Sequence, residues 1–425
     1  MKRTDLLPSL IITGMALGTA WAVRGQFGHE HGAAWAGGVG CLTVLLLSGR
    51  KDWMRVAFNA TLAGAVGWGL GGMMSYGQLV GYGRSTDFGN VYYGLLSLFV
   101  VGALYGFVGG GLFGISLSNT PDRKPISWPR IITEMTVGGV IFYFFFIEQF
   151  GWLMTPPRDE HWGVCVGMAA AICWYMVRQE MKSALRVALI TGFGAGIGFA
   201  FGNFLQVIGH VLQWKFNFWN VMEYSLGFCG GASMAYAVFT SEWEEKDAPR
   251  SGKFWLAPLV ILLFVIPSIM WEQNTNFPKL QERFRALVVG LPDAVPFIAN
   301  WLPYVVFIGM TYFFTKRYAD NWSDLWKFYR AYFLLYILLS IVVTGAFISL
   351  YRPEQYLYLV NFAIIVYYLP KLSPPYRSEK IDWKGFALNM LWFLLFNALL
   401  TVIATQSHQR DLPGAHYRFG EKATR

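Results

Sequence analysis

The stretch from Val91 to Leu117 reads VYYGLLSLFVVGALYGFVGGGLFGISL and contains no charged residue. A helix of this length would be about 40 Å long, enough to cross a hydrocarbon core of about 30 Å. A segment that spans a bilayer must satisfy its own backbone hydrogen bonds, so the stretch is expected to be helical. Comparable apolar runs recur along the chain, whereas the short alternating segments typical of an outer-membrane barrel do not.

Composition supports the same fold class. Of the 425 residues, 55% are hydrophobic and 14% are charged, whereas soluble proteins carry about a quarter charged residues. The sequence therefore predicts an all-α polytopic membrane protein with about 13 transmembrane helices. The expected spans are 8–24, 32–48, 56–81, 91–117, 129–149, 162–177, 186–212, 221–240, 254–271, 296–315, 328–350, 356–369 and 385–405.

The distribution of lysine and arginine predicts the orientation. The net charge of +9 comes from basic residues scattered through short loops, which argues against nucleic-acid binding. If the N-terminus is cytoplasmic, 22 of the 34 lysines and arginines fall on the inner side. Cytoplasmic loops carry the excess of these residues, so we expect a multi-pass protein of the plasma membrane, of the bacterial inner-membrane type. Its N-terminus is expected to be cytoplasmic and its C-terminus extracytoplasmic.

The first 240 residues contain an internal duplication. Seven groups of residues recur in the same order, at offsets that grow from 120 to about 130. They pair Ile11–Met15 with Ile131–Met135, Gly18 with Gly138, Gln26–Gly28 with Gln149–Gly151, Glu30-His31 with Glu160-His161, Arg55–Ala57 with Arg186–Ala188, Gly67 and Gly71 with Gly198 and Gly202, and Asn90-Val91 with Asn220-Val221. Each copy holds four segments, so both copies are expected to enter the membrane in the same direction.

A change in composition follows the duplication. Residues 1–253 contain 40 of the 46 glycines, several of them four residues apart on one helix face, where small residues let helices pack closely in lipid. An alternative to close packing is that the glycine-rich helix faces line a cavity. The predicted units are a first four-helix repeat (1–118), a second (129–240), a charged cytoplasmic linker (241–253) and a C-terminal five-helix region with a short outer tail (254–425).

Polar residues near the predicted outer face form the candidate site, because polar groups within or beside transmembrane segments often mark function. They are drawn from both repeats, so they are expected to meet near the pseudo-twofold axis, with Arg24 paired to Glu148. The predicted substrate-binding residues are Arg24, Gln26, Glu30, His31, Glu148, Gln149, Glu160, His161, His210, Asn220 and Glu223.

These residues allow three interpretations. Glu30, Glu160 and their neighbouring histidines could bind a substrate or carry protons, or they could hold the hairpins together by hydrogen bonds. Imidazole with carboxylate could also bind a transition metal. His29-x-His31 lacks a full set of ligands at a strict spacing, so neither a metal nor a cofactor is predicted.

The leading hypothesis is a secondary transporter of a small polar solute, with a sugar or sugar acid as one candidate. Duplicated halves and polar groups at the repeat interface favour it. The first alternative is a membrane-embedded enzyme whose outward-facing Glu/His site acts in group transfer, which suits the outer position of the polar cluster. The second is a structural or accessory membrane subunit. The expected partners are the lipid bilayer and the solute; the sequence leaves the oligomeric state open.

Overall fold

The computed structural model describes residues 6–118, 126–244, 256–317, 322–348 and 352–420, and these residues are helical with short connections. Extended pairing within these ranges is limited to one isolated bridge between Ser241 and Glu379. The helices are α1 (Leu6–Arg24), α2 (Glu30–Ser48), α3 (Lys51–Arg55), α4 (Ala57–Gly71), α5 (Gly77–Tyr82), α6 (Phe88–Leu117), α7 (Trp128–Phe142), α8 (Trp162–Arg178), α9 (Lys182–Val211), α10 (Phe218–Thr240), α11 (Leu256–Val260), α12 (Ile266–Asn274), α13 (Phe277–Leu287), α14 (Ala294–Arg317), α15 (Trp322–Thr344), α16 (Pro353–Tyr368) and α17 (Trp383–Gln406).

The long apolar helices fit a multi-pass membrane protein. Within the described ranges, nine helical stretches have the length and hydropathy needed to cross a bilayer. Two of them include a π-helical turn: Tyr143–Gln149 continues α7, and Ile261–Val265 joins α11 to α12. The count of 13 spans and the orientation remain predictions, and most of the predicted linker 241–253 lies outside the described residues.

The third expected span, 56–81, is not one continuous helix. Helix α4 ends at Gly71, the backbone turns through residues 72–76, and the short helix α5 follows. A Cβ at Gly72 would lie 2.3 Å from the carbonyl oxygen of His29. Glycine is therefore needed at this position for the start of α2 to pack against the end of α4. The 15 residues of α4 make a helix about 22 Å long, too short to cross a bilayer alone.

Six helices form a closed ring, in which each packs against the next: α1, α2, α4, α6, α9, α10 and again α1. Glycines lie where neighbouring helices of the ring approach each other closely. A Cβ at Gly102 of α6 would lie 2.6 Å from the carbonyl oxygen of Ala195 of α9, and one at Gly198 of α9 would lie 2.3 Å from that of Ser225 of α10. Close packing at glycines therefore holds the ring together, as the glycine spacing predicts.

The proposed repeats occupy unequal places in this ring. Helices α1 and α2 belong to the ring and are largely buried, whereas their counterparts α7 and α8 pack together outside it. Helix α7 buries only Ile131, Met135 and Gly139. The duplication remains a prediction, and the arrangement of the eight helices is not symmetric.

The centre of the ring is filled by Trp21, Trp68 and Tyr105, a group we call the aromatic plug. The ring centroid of Trp21 lies 5.0 Å from that of Trp68 and 5.2 Å from that of Tyr105, both in edge-to-face geometry. Glycines make room for these rings: a Cβ at Gly37 would lie 2.6 Å from Trp68, and one at Gly71 would lie 2.3 Å from Tyr105. All three side chains of the plug are fully buried between the helices of the ring.

The C-terminal part of the chain covers the ring in two places. Helices α15 and α16 pack against α1, and Trp35 of α2 stacks on Tyr332 and Tyr336 of α15. Beyond α17, residues 411–419 cross the start of α6. There Asn90 donates a hydrogen bond to the carbonyl oxygen of Phe419 at 3.0 Å and accepts one from the Phe419 amide at 2.9 Å.

Candidate functional site

An open cavity of about 620 Å³ lies at the end of the ring where α1 finishes and α2 and α10 begin. The broken connection between α4 and α5 forms part of its wall, because residues 72–77 line it. Five of the eleven predicted site residues face this cavity: Arg24, Gln26, Glu30, Asn220 and Glu223.

A buried ion pair forms the floor of the cavity. Arg24 NH2 donates to Glu223 Oε2 at 2.5 Å, and the two side chains are 1% and 5% exposed. Tyr76 joins them, since Arg24 NH2 donates to its hydroxyl at 2.8 Å and the hydroxyl donates to Glu223 Oε1 at 2.8 Å. Two opposite charges with so little exposed surface are tolerated only when paired and hydrogen-bonded, as they are here.

The expected partner of Arg24 is wrong: the arginine pairs with Glu223, not Glu148. Close contact between α1 and α10 explains this, because a Cβ at Gly227 of α10 would lie 2.7 Å from the carbonyl oxygen of Leu17 of α1. Helices this close bring Arg24 and Glu223 face to face. Glu148 lies at the exposed end of the α7 extension, outside the ring, so it cannot reach Arg24.

Two tyrosines outside the predicted set form hydrogen bonds with residues that line the cavity. Tyr76 is held between Arg24 and Glu223, and Tyr358 of α16 accepts a hydrogen bond from the Asn220 amide at 2.7 Å. Both hide in apolar stretches, where a tyrosine resembles any other aromatic residue. For Tyr76 the signal was Gly71-Gly72, five and four residues before it, where α4 ends and the segment that lines the cavity begins.

The other predicted site residues lie elsewhere. Glu160 accepts hydrogen bonds from the amides of Met154 and Thr155 and from the Trp162 indole, so it holds its own hairpin together. His31 bonds to Gln273 of α12 through Nδ1 at 2.9 Å. The residues outside the main cavity are His31, Glu148, Gln149, Glu160, His161 and His210.

The described part of the chain contains no group of three or more histidine, cysteine, aspartate or glutamate side chains placed to hold a metal ion. No protein-family model, curated protein or solved structure matches this chain. A proposal for function therefore has to rest on the chemistry of the cavity.

His29 is expected to make the protein sensitive to acid. Its Nδ1 lies 3.0 Å from Arg24 NH1, and because arginine only donates, Nδ1 must be an unprotonated acceptor. Desolvation, followed by the Arg24 charge, lowers the pKa of His29 below its ordinary value. Below about pH 6.5 the unfolded chain then binds more protons than the folded one, so stability falls as pH falls.

We therefore expect the melting temperature of the detergent-purified protein to drop between about pH 7 and the lowered pKa of His29. The His29→Gln variant keeps an acceptor for Arg24 and should lose less stability over the same range. Equal slopes for the two proteins would contradict the assignment of this acid sensitivity to His29.

Proposed function

We propose that this protein is a secondary transporter of a small, neutral or zwitterionic polar solute, with a neutral sugar as the favoured class. One observation carries the proposal: a polar cavity with a buried ion pair at its floor lies at one end of a closed helix ring whose interior is filled by the aromatic plug. An access cavity and a closed gate in one ring are the parts that alternating access requires.

The size and charge of the cavity favour a small neutral solute. Its volume of about 620 Å³ falls in the range of small-molecule sites, which is about 300–1,000 Å³. The charged groups in its lining are balanced, with Arg24 and Arg158 against Glu30 and Glu223. A sugar acid would add an unmatched negative charge, so the balance favours a neutral sugar over its acid.

The lining offers suitable contacts for hydroxyl groups. Gln26, Asn217 and Asn220 supply amide donors and acceptors, and Trp219 supplies an aromatic face. Deeper in the ring, the indole nitrogens of Trp21 and Trp68 have no hydrogen-bond partner within the described ranges. A solute that passed the ion pair would meet these donors next.

The interrupted third segment supports transport in a second way. Transporters bind their solutes where transmembrane helices are broken, because the turn frees backbone groups and permits local movement. Here the break between α4 and α5 supplies Tyr76 to the floor. Movement of this segment would separate Tyr76 from Glu223 and free space above the plug. The sequence carries no nucleotide-binding loop, so we expect the energy to come from an ion or proton gradient, or transport to proceed without an energy source.

Uptake into proteoliposomes tests the proposal. The panel holds labelled neutral sugars, sugar acids and amino acids, and we expect the wild type to accumulate a neutral sugar. Glu223→Gln should lower that uptake at least about 10-fold, because it removes the charge that orders Arg24 and Tyr76. Glu148→Gln is the matched control, an exposed glutamate outside the ring that should leave uptake unchanged. Equal uptake by wild type and Glu223→Gln would contradict the assigned site.

The position of the cavity at one end of the ring also favours the enzyme alternative. His29 and Glu30 stand at its mouth, where either could act as a general base on a lipid-linked or extracytoplasmic substrate. The two functions separate cleanly: an enzyme forms product in detergent without any gradient, and a transporter leaves its solute chemically unchanged.

A further inference from the structure

Arg84 is a buried cation without a carboxylate partner. It lies between α5 and α6, at the same end of the ring as the main cavity, and is 8% exposed. No ion pair to Arg84 forms within the described ranges. Burial lowers the pKa of its guanidinium, and no nearby acid raises it. A buried charge of this kind is normally stabilised by an opposite charge.

The guanidinium is held in place with part of its hydrogen-bonding capacity unused. NH1 donates to the carbonyl oxygen of Pro413 at 2.9 Å, and the Arg84 carbonyl accepts from the Leu412 amide at 3.2 Å. The other two nitrogens, Nε and NH2, have no partner among the residues that the structure describes. This Nε–NH2 edge is the edge with which arginine binds two oxygens of a phosphate or carboxylate.

The residues around Arg84 place this edge near the bilayer surface. Its guanidinium carbon lies 5.2 Å from the ring centroid of Trp219. Trp219 lines the main cavity and also a smaller one of about 260 Å³, which His210 and Trp214 line as well. Gln206, one helical turn before His210 on α9, has an unpartnered amide nitrogen. Trp214 and Trp219 are 64% and 42% exposed, as in the aromatic belts that lie level with lipid headgroups.

We propose that Arg84, covered by Trp219, binds a phosphate group, with Gln206 and His210 as additional donors. The phosphate comes either from a phospholipid headgroup or from the free ion, and both would be held by the same unused edge of Arg84. Rotation of the exposed Trp219 ring opens the site toward the smaller cavity. This site is separate from the ion pair of the main cavity and does not depend on the transport proposal.

Two binding experiments on the full-length protein test the site, one by thermal unfolding and one by native mass spectrometry. In the first arm, the protein is held in a maltoside detergent and inorganic phosphate is titrated at constant ionic strength. In the second, native mass spectrometry follows retention of added phosphatidylglycerol. The variants are Arg84→Met, which keeps the bulk of the side chain, and Arg410→Met, a control that removes an exposed arginine of the C-terminal tail.

We expect a saturable rise in melting temperature, or retention of the phospholipid, in the wild type and in Arg410→Met but not in Arg84→Met. A response in the phosphate arm identifies a free ion, and a response in the lipid arm alone identifies a headgroup. If Arg84→Met fails to fold, Arg84→Lys takes its place. Lysine keeps the positive charge but lacks the adjacent N–H donors of the guanidinium, so its half-maximal response should need at least about 10-fold more ligand. No response in either arm, or equal responses in all variants, would overturn the proposal.

Discussion

Removing Arg24 alone, by Arg24→Met, or Glu223 alone, by Glu223→Leu, is expected to cost about 3–5 kcal/mol of unfolding free energy. Each single change leaves the other charge buried with no counter-ion. The double variant removes both charges and substitutes apolar side chains of similar size, so it should recover most of the loss. Recovery will be incomplete, because the Tyr76 hydroxyl then loses both partners at a cost of about 1–3 kcal/mol.

An exposed ion pair provides the control for this double-mutant cycle. Arg285 NH2 lies 2.9 Å from Asp293 Oδ1, with side chains 57% and 63% exposed. Arg285→Met and Asp293→Leu should each leave the unfolding free energy nearly unchanged, because water already screens this pair. The measurement is chemical unfolding in mixed micelles. If the Arg24/Glu223 double variant lost as much as the two single variants added together, the two side chains would not be coupled.

The second large effect is expected at Gly198. In Gly198→Ala the new Cβ would lie 2.3 Å from the carbonyl oxygen of Ser225 and 2.8 Å from Cβ of Cys229, both on α10. The backbone of α10 cannot yield without disturbing the ring, so we expect a loss of about 1–3 kcal/mol or more. The readout is the same chemical unfolding experiment.

Gly309 is the matched control for Gly198, since it also lies inside a long helix, α14, but has nothing within 4 Å of the position of its Cβ. Gly309→Ala should stabilise the protein by about 0.5–1 kcal/mol, because alanine loses less backbone freedom on folding. Similar effects of the two substitutions would mean that the contact between α9 and α10 is looser than the structure shows.

Hydropathy was enough to predict helical segments close to where the structure has them, since each apolar run must satisfy its own hydrogen bonds. It failed at 56–81, because Gly71-Gly72 breaks the helix without changing the average polarity. It also gave no sign of α13, whose apolar residues alternate with charged ones between two expected spans.

The candidate site was predicted in part, for a physical reason. Arg24, Asn220 and Glu223 are polar groups at the ends of apolar helices, and such groups stand out in the sequence. Helix packing decides which of these side chains come into contact. Alignment of the two repeats gives no information about that packing. That alignment placed Arg24 beside Glu148, whereas glycine contacts between α1 and α10 place it beside Glu223.

The tail that holds Arg84 also has a consequence for biosynthesis. Arg84 and its partner Pro413 are 329 residues apart in the chain. At about 5–20 residues per second, a ribosome needs roughly 15–65 s to make the intervening chain. For that time the newly inserted α6 lacks the segment that will cover its start. Until then, Arg84 lacks the carbonyl oxygen to which its NH1 group donates in the folded protein.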